Sequence, residues 1–165
     1  IDSIDALIFL SGILPGKNLY EYSMDDINKV FSINIIGQIK LMSKLQPMIG
    51  SKACILMMSS ISAQRGSFDP IYSSSKAAIL GFVKSMMTKL PKGSRINAIA
   101  PGLIEQSAMF NDMDNERQQF HRNQTHSGNL LSSLSLANMI FDLCQDHWSH
   151  LNGACIDLNG GQNVR

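Results

Sequence analysis

The sequence has 165 residues, 44% hydrophobic and only 16% charged. That composition fits one domain with a sizeable core and excludes a disordered, charge-rich chain. Its 14 Lys and Arg oppose 13 Asp and Glu for a net charge of +1, so no global field gathers nucleic acid or an anionic membrane. No uninterrupted apolar run reaches the ~18 residues of a membrane-spanning helix. Cys54, Cys144 and Cys155 form no spaced framework, which predicts a reduced, cytoplasmic protein.

The chain begins at Ile1 rather than Met and enters a strand-like run almost at once; a preceding segment is therefore expected. Four short apolar runs, at 7–10, 53–58, 95–100 and 154–158, lack clean alternation and read as strands buried on both faces. Between the first two, Ser23 and Asp26 have capping-box spacing and open a helix toward Met48. A second helix is expected over 71–90, ended by Pro91 and Gly93, and a third over 133–144, extending toward His147. Strand and helix alternate throughout, which predicts an α/β fold with a doubly wound, mostly parallel sheet.

The helix over 71–90 is apolar almost all round, with Ala77, Ala78, Ile79, Leu80, Phe82, Val83, Met86 and Met87. Such a helix needs cover on both sides, from the sheet and from another chain. Residues 105–129 are polar, with Met109, Phe110 and Phe120 as isolated apolar points, and are expected to form a lid. Met109, Phe110 and Met113 would either line a pocket or dock that lid. Lys84, Lys89, Lys92 and Arg95 read as complements to a helix end, and Arg117 and Arg122 as solvated surface.

Tyr72 and Lys76 stand at i and i+4, so both project from one helix face. A nearby ammonium favours the phenolate of a tyrosine, which can then move a proton at neutral pH. Such a pair is also ordinary on helices. Its setting is less ordinary: the second strand delivers Ser59 and Ser60 at its carboxyl end, and the third ends in Ala100-Pro101-Gly102. Open α/β sheets bind ligands at that edge.

Several motifs in order resemble the short-chain dehydrogenase/reductase family. Ile4-Asp5-Ala6-Leu7-Ile8 with Gly12 is similar to the strand ending in N-N-A-G, and Asn34 matches the family's helix asparagine. Ser59-Ser60-Ile61-Ser62 resembles the catalytic serine segment, and Tyr72 to Lys76 the Y-x-x-x-K helix. Asn97-Ala98-Ile99-Ala100-Pro101-Gly102 resembles N-x-x-x-P-G, and Asn159-Gly160-Gly161 the terminal G-G.

The resemblance implies an oxidoreductase that uses NAD or NADP to interconvert a small-molecule carbonyl and an alcohol. Tyr72 would be the acid/base, and Ser60 would polarise the substrate oxygen, with Ser59 the other candidate. Lys76 would hold the nicotinamide ribose and lower the tyrosine pKa, and Asn34 would position a water in a proton relay. Gly12, Pro101, Gly102 and Ile104 would face the cofactor. The ending of the chain is similar to 3-oxoacyl-acyl carrier protein reductases, which suggests 3-oxoacyl thioesters as substrates. A homodimer or homotetramer is implied, with no nucleic acid or membrane partner.

This chain also departs from the family. Phe9-Leu10-Ser11-Gly12 replaces N-N-A-G, and Gln106 stands where a threonine usually follows P-G-x-x-x. The T-G-x-x-x-G-x-G phosphate loop is not among these residues. Residues 1–165 therefore read as one partial Rossmann-like domain, corresponding to the C-terminal two-thirds of such an enzyme and lacking its first βαβ unit. Poor stability of this segment alone is expected, since such a sheet exposes an apolar edge. A non-catalytic partner or regulatory subunit and an inactive fragment remain the competing readings. Cys144, His147 and His150 at i, i+3 and i+6 lack an evident fourth metal ligand, so no metal is expected.

Overall fold

A computed structural model describes residues 3–163. Among them, strands β1 (Ile4–Phe9), β2 (Ile49–Met58), β3 (Arg95–Pro101) and β6 (Cys155–Leu158) form one parallel sheet in the order β1-β2-β3-β6. The four expected strand runs are all present. Successive strand residues point to opposite faces, and β2 is apolar on both. Ile55 and Met57 pack with Phe9, Ile35, Met42, Ile79, Val83 and Ile96 on one face; Cys54, Leu56 and Met58 pack with Ile99, Leu136 and Leu143 on the other. Two covered faces are why the run does not alternate.

The first helix opens as expected. Ser23 Oγ accepts from the Asp26 amide at 3.1 Å and Asp26 Oδ2 accepts from the Ser23 amide at 3.2 Å. It is not uniform, however: α1 (Met24–Phe31) runs into a π-helical stretch, Ser32–Ile36, before continuing as α2 (Gly37–Leu45). It stops short of Met48 in a 3-10 turn at Gln46–Met48 that contains Pro47, which has no amide hydrogen to continue an α-helix.

After a short α3 (Ser62–Arg65), α4 spans Pro70–Met86, starting one residue before Ile71 and ending short of Leu90. Asp69 caps it and Pro70 occupies its first turn, where no amide partner is needed. Residues 105–129 hold more structure than a loop. β4 (Ile104–Glu105) leads into α5 (Ala108–Asn111) and α6 (Asn115–Asn123). β5 (Leu131–Ser132) then pairs in parallel with β4 and pins the two ends of the segment together. α7 (Ser133–Leu143) follows, capped by Ser132, and a separate 3-10 turn covers Asp146–Trp148.

Because every sheet strand runs the same way, the ends of β1, β2, β3 and β6 share one edge. The ladder continues past it: the Ser59 amide donates to Ile99 O at 2.8 Å and the Ile61 amide to Pro101 O at 3.0 Å. Ser60 is thereby fixed relative to Pro101. Among the described residues no helix is long and apolar enough to cross a membrane.

Candidate active site

A cavity of about 870 Å³ opens at this edge. Gly12, Ser60, Tyr72, Lys76, Pro101, Gly102 and Ile104, seven of the eight site residues expected from sequence, line it. The eighth, Asn34, is fully buried behind it in the π-helical stretch. Its Oδ1 accepts from the Ile13 amide at 2.8 Å, while Nδ2 donates to Ile13 O at 3.0 Å and Ser75 Oγ at 2.9 Å. Asn34 thus clamps the loop after β1 onto α4. The extra residue per turn of a π-helix re-aims a side chain without ending the helix.

α4 is positioned by Asp69, which sequence reading overlooked. Its Oδ1 accepts from the Tyr72 amide at 2.8 Å; its Oδ2 accepts from the Tyr22 hydroxyl at 2.7 Å, the Gly16 amide at 3.0 Å and the Lys17 amide at 3.4 Å. A fully buried carboxylate needs such donors to offset lost hydration. Burial and the Asp69 carboxylate push the Tyr22 phenol up. The Asp-Pro pair is a legible helix start; its long-range donors are not.

The adjacent serines point to different partners. Ser59 Oγ donates to the Lys76 carbonyl at 2.9 Å and so is spent on the backbone of α4. Ser60 Oγ accepts from the Ser62 amide at 3.1 Å and lines the cavity with Tyr72. Burial raises the Tyr72 phenol above its ordinary range; the Ser60 hydroxyl pulls it down and the Asp69 charge adds to the rise.

Lys76 is almost fully buried and donates from Nζ to Met58 O at 2.7 Å. Burial holds its pKa down to about 8. In this geometry the Lys76 ammonium faces the strand-end carbonyl of Met58, and burial is the largest influence on the Tyr72 phenol.

The donor set suits a nicotinamide group. A hydroxyl and an ammonium stand beside two glycine walls: a Cβ on Gly12 would lie 2.9 Å from Lys76 Nζ, and one on Gly102 would lie 3.2 Å from Gln162 Oε1. Met109 and Met113 line the cavity, whereas Phe110 is buried and is not part of its lining. Arg117, expected as solvated surface, lines the cavity with its cation 5.2 Å from the Phe68 ring centroid. Arg122 pairs with Glu105 at 2.6 Å. Arg65, His121 and Gln162 also line the cavity, and their sequence context carried no signal of it.

A family model described as enoyl-(acyl carrier protein) reductase matches residues 1–163. The chain is 32% identical over 165 residues to the 3-oxoacyl-[acyl-carrier-protein] reductase FabG of Aquifex aeolicus, covering 98% of this chain and 66% of that protein. It is 28% identical to an L-rhamnose 1-dehydrogenase (NAD(P)(+)) of Sphingomonas, covering 98% of this chain and 66% of that protein. A crystal structure of a short-chain dehydrogenase/reductase, glucose/ribitol dehydrogenase, from Brucella melitensis superposes with a TM-score of 0.93 at 27% identity, covering 99% of this chain and 66% of that one. This chain therefore spans just under two thirds of the length of these relatives.

Proposed function

We propose an activity for this chain, which belongs to the short-chain dehydrogenase/reductase family: interconversion of a carbonyl and an alcohol with NAD or NADP, 3-oxoacyl thioesters being one substrate class. The observation that carries this reading is the convergence of Ser60, Tyr72 and Lys76 on one cavity at the carboxyl edge of the sheet.

The nicotinamide, when bound, supplies or accepts hydride; Lys76, Gly12, Pro101, Gly102 and Ile104 are the residues that would hold it. Ser60 Oγ orients the substrate oxygen. Tyr72 donates its phenolic proton to that oxygen in reduction and takes it back in oxidation. The raised phenol suits the donor role, since the proton is present at neutral pH. Asn34 holds the loop after β1 against α4 and so keeps the floor beside Lys76 in place.

Residues 105–129 act as a lid that excludes water, and Met109 and Met113 supply its apolar underside. The chain is read as one partial Rossmann-like domain of a homodimer or homotetramer. Ala77, Ala78 and Gly81 form an exposed small-residue face on α4, which supports close approach of a second subunit.

The test follows NAD(P)H absorbance in the full-length chain with 3-oxoacyl thioesters and simple ketones, comparing wild type with Tyr72→Phe. Turnover that falls by about 10³-fold or more in Tyr72→Phe with cofactor binding retained supports the proposal. Binding without Tyr72-dependent turnover refutes it and points to a non-catalytic partner.

A further inference from the structure

The charged lining of the cavity has a single sign. Arg65 on α3 follows Ser60 by five residues, Arg117 lies on α6 one turn before the imidazole of His121, and Lys76 lies on α4. No Asp or Glu lines this cavity among the described residues. Two nearby carboxylates are committed elsewhere: Glu105 to Arg122 at 2.6 Å, and Asp114 to the Arg117 amide at 2.7 Å.

Neither Arg65 nor Arg117 joins an ion pair among the described residues. Arg65 Nη1 donates to neutral groups, Gln162 O at 3.2 Å and Gln124 Oε1 at 3.4 Å, and Arg117 rests on the Phe68 ring. These contacts orient both guanidinium groups without neutralising them. Burial, then the charges of Arg65 and Arg117, hold His121 below its ordinary range, consistent with all three facing one space. Phe68, Met109, Met113 and Phe120 make the rest of that wall apolar.

Guanidinium forks match planar oxyanions, and Arg65 and Arg117, exposed at the rim of one cavity beside an apolar wall, offer two such forks. Resting on the carbonyl–alcohol activity above, we propose that the substrate carries a carboxylate. Arg65 and Arg117 hold it at the rim while the reacting carbon lies at Ser60 and Tyr72. The substrate class is an oxo acid and its hydroxy acid, with an apolar chain against Phe68 and the two methionines. A phosphate of the dinucleotide offers the same oxyanion chemistry, and the test separates the two sources.

The experiment measures kcat/KM in the full-length chain for 2-, 3-, 4- and 5-oxohexanoate and their methyl esters. For the best acid, a preference over its ester of about tenfold or more is expected, since tenfold corresponds to about 1.4 kcal/mol. That acid-to-ester ratio should collapse toward unity in Arg65→Gln and Arg117→Gln and be partly kept in Arg65→Lys, with KM for NAD(P)H unmoved. Equal acid and ester rates in wild type overturn the proposal. So do Arg variants that raise only the cofactor KM, which would assign the anion to the dinucleotide.

If neither acid nor ester turns over, the activity reading fails separately and calorimetry with the oxohexanoates in the presence of NAD(P)+ decides this one. Binding weakened by Arg65→Gln supports the carboxylate site; no binding overturns it.

Discussion

Gly12 and Lys76 share one packing decision: a Cβ on Gly12 would lie 2.9 Å from Lys76 Nζ and 3.4 Å from its Cε. The same Cβ would lie 3.5 Å from Asn34 Oδ1, so the glycine is the gap through which the lysine reaches the end of β2. Gly12→Ala is expected to displace the ammonium while leaving the core intact. Misplacement of a catalytic group by about 1 Å can cost about 100-fold. The prediction is a loss of kcat/KM between about tenfold and 100-fold with little change in Tm; unchanged kinetics would show that the lysine position is not critical.

Lys76 itself is held at a cost. Its pKa falls from 10.5 to about 8 by burial. Below pH 8 both folded and unfolded chains carry the proton, and the folded chain bears the whole penalty, about 3 kcal/mol from the size of the shift. Between pH 8 and 10.5 unfolding takes up a proton, so this contribution to stability improves as pH rises. Lys76→Met should therefore melt several degrees above wild type at pH 7, with the gap closing by pH 10, while turnover is lost. Thermal scans across pH check the convergence.

Asp69 joins Tyr22, Gly16 and Lys17 to the first turn of the helix that carries Tyr72. Asp69→Ala strands several donors at once and removes the cap, a predicted loss of about 2–4 kcal/mol in denaturant unfolding. Tyr22→Phe removes one donor and leaves the others in place, so about 1 kcal/mol is expected. Equal losses would show that the hydroxyl alone anchors the loop.

Cys54 is fully buried, and burial with the neighbouring Cys144 pushes its thiol up to about 12. Since only the thiolate is strongly nucleophilic, Cys54 should resist alkylation in the native chain and react once denatured. Mass spectrometry of iodoacetamide-treated protein reads this directly; rapid native labelling of Cys54 would contradict the buried position.

Much of the fold was legible in one dimension because its signals are local. The four apolar runs became the four sheet strands, and the Ser23–Asp26 cap formed as its spacing required. The Tyr72–Lys76 spacing put both side chains on the cavity, and the order of motifs named the family before any coordinates did. What the sequence left open depends on residues far apart in the chain. Sequence put Ser60 ahead of Ser59; that Ser59 Oγ is engaged by the Lys76 carbonyl is decided by packing alone.

The Met58 carbonyl accepts from the Lys76 ammonium, a partner that the Tyr72–Lys76 spacing does not reveal. Arg65 and Arg117 lie on separate helices with 51 intervening residues between them, and only the tertiary fold brings both to one cavity wall. Periodicity and capping act within a turn or a strand, so sequence alone determined the elements and the helical pair. Hydrogen-bond partners, desolvation and the sign of the cavity arise between elements, so only the tertiary structure decided them.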